Sequence, residues 1–172
     1  MGRWSRKLAP LLVQFARRCR DGDAVVDIGS GTGALTAAIV AAAPSSRVFG
    51  IDPSEPYVAY AQAASSSKRV CGSTVADAQH LPFKDASFDR TLSLLILNFI
   101  PDPEKALKEM VRVTRPGGTI AACGMGLRGR DEDVACVLGR GGCAQSQLQT
   151  GKTSDICRCP AAATCQSCGA NI

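Results

Sequence analysis

The sequence predicts an α/β protein built on a doubly wound, mostly parallel sheet. Three observations carry that expectation. Strand-like apolar runs alternate with helix-period segments from residue 24 to 123, a glycine-rich turn joins the first strand to its helix, and an aspartate closes the second strand. Strand–helix–strand alternation at this spacing calls for parallel strands joined by crossover helices, since antiparallel neighbours need only a short hairpin.

The elements follow in order. Leu8–Arg18 reads as a leading helix, over about residues 7–18, that covers a sheet edge or the site. Ala24–Ile28, Arg47–Ile51 and Arg90–Leu95 read as strands, as does Thr119–Cys123 after the turn at Pro116-Gly117-Gly118. Val70–Ala76 is a poorer strand because Cys71-Gly72-Ser73 interrupts it. Between them, Gly33–Ala43 places Leu35, Ile39, Val40 and Ala43 on one helix face, and Glu55–Ala64 forms a second helix after Pro53. Pro103–Val113 is a third, with proline just inside its start and Leu107, Met110 and Val111 on its apolar side.

Composition narrows the class. A chain of 172 residues has room for one domain with a single core. Its 45% hydrophobic and 20% charged content is ordinary for a soluble globular protein. No apolar run approaches the roughly 20 residues needed to span a bilayer. The opening Met1-Gly2-Arg3-Trp4-Ser5-Arg6 lacks the apolar core of a signal peptide, and its Arg6 stands where myristoylation needs Ser or Thr. The expectation is therefore a cytoplasmic protein. The net charge of +5 resides largely in Arg3, Arg6, Lys7, Arg17, Arg18 and Arg20, which read as a solvated helix face. Without a longer basic stripe and interleaved aromatics, nucleic acid is not an expected partner. Nothing in the sequence sets an oligomeric state.

The chemistry concentrates in Val25-Val26-Asp27-Ile28-Gly29-Ser30-Gly31-Thr32-Gly33, a strand running into a glycine-rich turn and then a helix. Ligands of open α/β sheets bind at the carboxyl ends of strands, where this turn sits. Glycines let the backbone turn tightly and approach a ligand without a Cβ in the way. Asp52 follows nineteen positions after Gly33, where a carboxylate can accept both hydroxyls of a ribose. Gly29-x-Gly31-x-x-Ala34 also fits an NAD-binding fingerprint, so an NAD-dependent oxidoreductase is the alternative reading. Asp27 separates the two. A carboxylate beside the turn repels a pyrophosphate, whereas it suits the positive groups of S-adenosylmethionine.

With that residue in place, the segment resembles motif I of the class I, Rossmann-like S-adenosylmethionine-dependent methyltransferases. Val48-Phe49-Gly50-Ile51-Asp52-Pro53-Ser54 resembles their second motif. Asp77-Ala78-Gln79-His80-Leu81-Pro82-Phe83, followed by Ser87-Phe88-Asp89, is similar to their adenine-side motif and the entry to strand four. Arg112-Val113-Thr114-Arg115-Pro116-Gly117-Gly118 looks like the turn before strand five. The four motifs stand in family order over roughly residues 3 to 122, and in pattern they are closest to the type 11, ubiquinone/menaquinone-biosynthesis-like enzymes.

The resemblance implies S-adenosylmethionine as co-substrate and a small-molecule methyl acceptor. It implies that Asp27 meets the methionine ammonium, and that the backbone of Gly29, Ser30, Gly31 and Gly33 lines the methionine and ribose. Asp52, followed by Pro53, would hold the ribose hydroxyls, and Asp77 with the Ala78 backbone would meet adenine. Leu94 and Leu95 would lie near the methyl group, and Asn98 and Phe99 near the acceptor. Methyl transfer from a sulfonium needs alignment and a dry pocket, and a general base only if the acceptor must lose a proton. His80, the sole histidine, falls in the adenine-side loop rather than near the acceptor, so no catalytic residue is named.

The expected domain covers residues 1–123. Seven of the nine cysteines lie after residue 122, in a Gly- and Gln-rich stretch without apolar periodicity. Relatives continue past strand five with a helix and an antiparallel strand pair, so residues 124–172 read as an irregular tail outside the fold. Strand five is then expected to be a bare edge, leaving an impaired enzyme or, as an alternative, a non-catalytic cofactor-binding remnant. Cys157-x-Cys159 and Cys165-x-x-Cys168 could supply four thiolates to zinc. A truncated or shifted reading frame is the favoured explanation, and no metal is expected. Permitted codons for Leu127–Cys143, read one nucleotide later, spell an apolar-periodic helix that resembles the family after strand five.

Overall fold

The computed structural model describes residues 2–16, 19–64, 70–125, 134–140 and 149–151. Along the chain these form α1 (Gly2–Phe15), β1 (Ala24–Ile28), α2 (Ala34–Ala42), β2 (Arg47–Asp52), α3 (Glu55–Ala64), β3 (Val70–Val75), β4 (Phe88–Leu94), a 3₁₀ turn at Leu97–Phe99, α4 (Pro103–Val113), β5 (Thr114–Met125), β6 (Val134–Arg140) and β7 (Gln149–Gly151). The strands make one sheet in the order β3-β2-β1-β4-β5-β6-β7. The first five are mutually parallel, as the doubly wound prediction requires. Ile28 sits in register between Ile51 and Ser93. Strand order reverses between β1 and β4, which opens a crevice at their carboxyl ends.

Every residue of β1 is buried, because helices cover both sides of the sheet. On one side Val25, Val48, Leu92 and Leu94 pack with Leu8, Leu12 and Val13 of α1 and with Leu35 and Ile39 of α2. On the other, Val26, Ile28, Ile51 and Ile120 pack with Ala106, Met110 and Val113 of α4. Two-sided burial explains why Ala24-Val25-Val26 reads as a continuous apolar run rather than an alternation. The start of α4 is encoded locally: the Asp102 side chain accepts from the Lys105 amide at 3.0 Å, and Pro103 follows it.

The poor strand at Val70 forms, and its interruption has a geometric cause. Val48 pairs with Val70 and Phe49 with Gly72, so Cys71 is the extra residue of a bulge. The leading helix starts at Gly2, about five residues before the predicted start. Arg3, Trp4, Arg6 and Lys7 are exposed, so this turn has no apolar face for a periodicity argument to detect. No helix among the described residues is long and apolar enough to cross a membrane.

The larger difference lies beyond β5. The sequence reading leaves that strand as a bare edge, without the last strands of the sheet. The structure instead pairs it with β6 from Thr119↔Arg140 to Met125↔Val134, antiparallel, and β6 in turn pairs with β7. An uncovered edge is a row of unpaired amides and carbonyls that any extended segment can satisfy. Val134-Ala135-Cys136-Val137-Leu138, an apolar run rich in β-formers, is suited to it. Cys157, Cys159, Cys165 and Cys168 lie outside the described residues.

Candidate active site

The carboxyl end of β1 leads directly into the glycine turn. Gly29, Gly31 and Gly33 all take positive φ, at 72°, 51° and 81°, a region that side-chain-bearing residues rarely enter. The Gly29 and Ser30 amides both donate to the Ile51 carbonyl at 2.8 Å, which ties the loop to β2. Gly29 also has no room for a side chain, since a Cβ there would lie 2.1 Å from Ile96 Cδ1 and 2.9 Å from Ile96 Cβ. Gly50 is needed for a similar reason: a Cβ would come within 2.8 Å of the buried Ser30 hydroxyl.

Asp27 is fully buried. Its Oδ2 accepts from Thr36 Oγ1 at 2.7 Å, whereas Oδ1 has no hydrogen-bond partner. Burial pushes its pKa up to about 7, against the opposing hydrogen bonds from Thr36 and with a smaller push from the nearby Asp52 charge. A buried acceptor without a partner is costly. This one lies beside a backbone loop suited to close ligand approach, so a cationic or donor group arriving there removes the cost.

Asp52 is also buried, but both of its oxygens are engaged. Oδ2 accepts from the Gly31 amide and Oδ1 from the Ser54 amide, each at 2.9 Å. Each carboxylate oxygen retains a further lone pair, so the residue can brace the loop and still accept from a ligand. Pro53 is exposed just past the strand.

Asp77 is built differently. Its side chain is half exposed, and its oxygens accept from the Gln79 amide at 2.9 Å and from Gln79 Nε2 at 3.1 and 3.2 Å. Those bonds, the Gln79 amide first, hold its carboxyl below the usual range. Ala78 beside it is buried. The loop is anchored from α4: Arg112 donates to the carbonyls of Leu81 and Phe83, and Glu109 accepts from the Leu81 amide. Lys105 Nζ lies 2.7 Å from His80 Nε2. An ammonium can only donate, so that ring nitrogen is the acceptor and the proton sits on Nδ1.

Leu94 and Leu95 are buried in the core that backs α1 and α2. Leu95 takes φ 62° and donates its amide to the Cys123 carbonyl at 2.6 Å. The chain therefore turns at the end of β4 and sets Ile96, not singled out in the sequence, against Gly29. Asn98 lies beside Gly124, where a Cβ would lie 2.6 Å from its Oδ1, and Phe99 is exposed. Thr36 also escaped the sequence reading. Its signal was available, because a hydroxyl in the first turn of α2 faces the sheet and can bond to Asp27.

The first turns of α1 supply the last feature. Arg6 and Pro10 face Thr32, Gly33, Ala34, Ala37, Ala38 and the α3 residue Tyr60 across a cleft of about 400 Å³. The residue read as part of a solvated face thus stands beside the glycine turn.

Comparison with known proteins agrees with this geometry. The methyltransferase-domain family matches residues 26–122, more than half of the chain. Methyltransferase GfsG of Streptomyces halstedii is 34% identical over 132 residues, covering 75% of this chain and 47% of that protein. Demethylmenaquinone methyltransferase of Staphylococcus aureus is 38% identical over 102 residues, covering 59% and 42%. This chain therefore spans less than half the length of either relative. Among solved structures, a chain of the Haloferax volcanii complex between the Trm112 methyltransferase activator and a methyltransferase superposes with a TM-score of 0.62 at 29% identity, covering 72% of this chain and 56% of that one. The family match displaces the NAD-binding alternative, and from its glycine turn to β5 the chain belongs to the class I methyltransferases, whose methyl donor is S-adenosylmethionine.

Proposed function

We propose that this chain binds S-adenosylmethionine across the carboxyl ends of β1 and β2 and methylates a small-molecule acceptor. The observation that carries the proposal is Asp27, a fully buried carboxylate with one unpartnered oxygen beside three positive-φ glycines. Asp27 accepts from the methionine ammonium, and the Gly29–Gly33 backbone passes beneath the methionine and ribose. Asp52 accepts from the ribose hydroxyls while keeping its bonds to the Gly31 and Ser54 amides, and Pro53 ends the strand at that point. Asp77 and the Ala78 backbone border adenine. Leu94 and Leu95 back the methyl end of the site from the core, and Ile96 closes over Gly29 to exclude water.

The co-substrate supplies an already activated methyl group. The protein's work is therefore alignment and desolvation. The small-molecule acceptor is supported by the Staphylococcus aureus relative, whose name gives demethylmenaquinone as what it methylates. Titration calorimetry tests the reading: S-adenosylhomocysteine binds, and NAD does not bind with comparable affinity. NAD binding of equal or greater strength refutes it.

A further inference from the structure

We infer that Cys123 of β5 and Cys136 of β6 form a cross-strand disulfide when the chain meets a small-molecule disulfide oxidant. The two residues stand directly opposite each other in the antiparallel ladder that joins these strands. Theirs is a pair without hydrogen bonds between the opposed residues. The Cys123 carbonyl accepts from the Leu95 amide at 2.6 Å, and its register partner on that side is Leu94 of β4. A strand residue turns its amide and carbonyl to the same side, so both backbone groups of Cys123 face β4 rather than β6. Opposed residues of such a pair have Cα atoms about 4.5 Å apart, with side chains closer than in the hydrogen-bonded type. That separation falls within the roughly 4.4–6.8 Å that a disulfide spans.

Among the described residues, no other cysteine competes for Cys123. Cys71 lies on β3, with β2, β1 and β4 between it and β5. Cys19 neighbours Asp23 and Arg90, and Arg90 is in register with Thr119, four residues or about 13 Å along β5 from Cys123. Cys123 is buried, so its thiol reacts when the ladder frays. Its pair is the third from the ladder's end at Met125↔Val134, where opening costs least. Glutathione disulfide supplies the oxidant. One cysteine thiolate attacks it and releases one glutathione thiolate, and the second attacks the protein sulfur of the mixed disulfide and releases another. Two electrons pass from the cysteines to glutathione disulfide, and the two thiol protons leave with the two glutathiones. The bond fastens β6 to the strand end whose carbonyl holds the Leu95 turn.

Peptide mapping of the full chain tests the assignment, and it does not depend on the cofactor reading. Trypsin leaves Cys123 in Val113–Arg128 and Cys136 in Asp131–Arg140, each the sole cysteine of its peptide. The chain is incubated with glutathione disulfide, its remaining thiols are alkylated, and it is digested without reductant. The two peptides emerge as one linked species, from a chain that migrates as a monomer, and reduced glutathione separates them. The oxidised chain melts about 5 °C or more above the reduced one, because the cross-link restrains the unfolded chain. Cys136→Ala loses most of that rise. Alkylated Cys123 and Cys136 after oxidation, or either one linked to a different cysteine or to a second molecule, overturns the inference. So does a rise of full size in Cys136→Ala.

Discussion

The glycine turn and the Asp77–Phe83 loop flank the same crevice, yet they are built on opposite principles. At the turn, the decisive carboxylate is fully buried, lacks a partner for one oxygen and is pushed up to a pKa of about 7. In the loop, the carboxylate is half exposed, accepts from Gln79 at both oxygens and is pulled down. One region keeps a polar group in want of a partner, so that a ligand completes it. The other satisfies its polar groups internally, through Gln79, Arg112 and Glu109, and so stays in shape without a ligand. Under the proposed function, charge recognition is concentrated at the turn, and the loop offers shape and backbone.

Breaking the turn gives the largest effect. Gly29→Ala forces a side chain into positive φ and into Ile96, and should cost about 3 kcal/mol or more in chemical denaturation. Adding Ile96→Ala removes the clash but not the backbone strain, so the double variant recovers part of the loss. If Gly29→Ala is as stable as the unaltered chain, the close approach at the turn has no energetic weight.

Asp52→Ala comes next, removing a ligand acceptor and the brace on the Gly31 amide together. Cofactor affinity should fall by about 1.5–3 kcal/mol in calorimetry, as for hydrogen bonds to a charged group. An unchanged dissociation constant reduces Asp52 to a strand-end residue.

Asp27 should betray itself through pH. With its folded pKa near 7 and an ordinary value of 3.8, the folded state holds the proton in a range where the unfolded chain has released it. Its contribution to stability is thus full below pH 3.8 and is lost as pH rises toward 7. Binding runs the other way, because an arriving ammonium needs the ionised form. S-adenosylhomocysteine affinity should drop by roughly tenfold from pH 7.5 to 6, and Asp27→Asn should flatten that dependence while weakening binding. A flat profile in the unaltered chain removes Asp27 from ammonium recognition.

The smallest effect belongs to the loop. Asp77→Ala should weaken cofactor binding by less than about 1 kcal/mol, since the side chain is solvated and Arg112 still anchors Leu81 and Phe83. A loss as large as that of Asp52→Ala would erase the contrast between the two regions.

The alternation of apolar runs, the glycines at 29, 31 and 33 and the proline-initiated α4 are local patterns, and each could be read directly from the residues because local sterics and two-sided burial write them there. So could the places of Asp27, Asp52 and Asp77 relative to their strands. Tertiary packing decided the rest. That Asp27 has one satisfied oxygen and one orphan depends on how α2 sets Thr36 over β1. That Ile96 covers Gly29 depends on a positive-φ turn at Leu95, which no periodicity announces. Arg6 and Tyr60, 54 positions apart in sequence, line one cleft only because tertiary packing brings α1 and α3 to it. The partner of β5 was hidden for a related reason. Pairing between strands is a matter of unsatisfied backbone groups finding each other in space, and Val134–Arg140 carries no local signal of which edge it will meet.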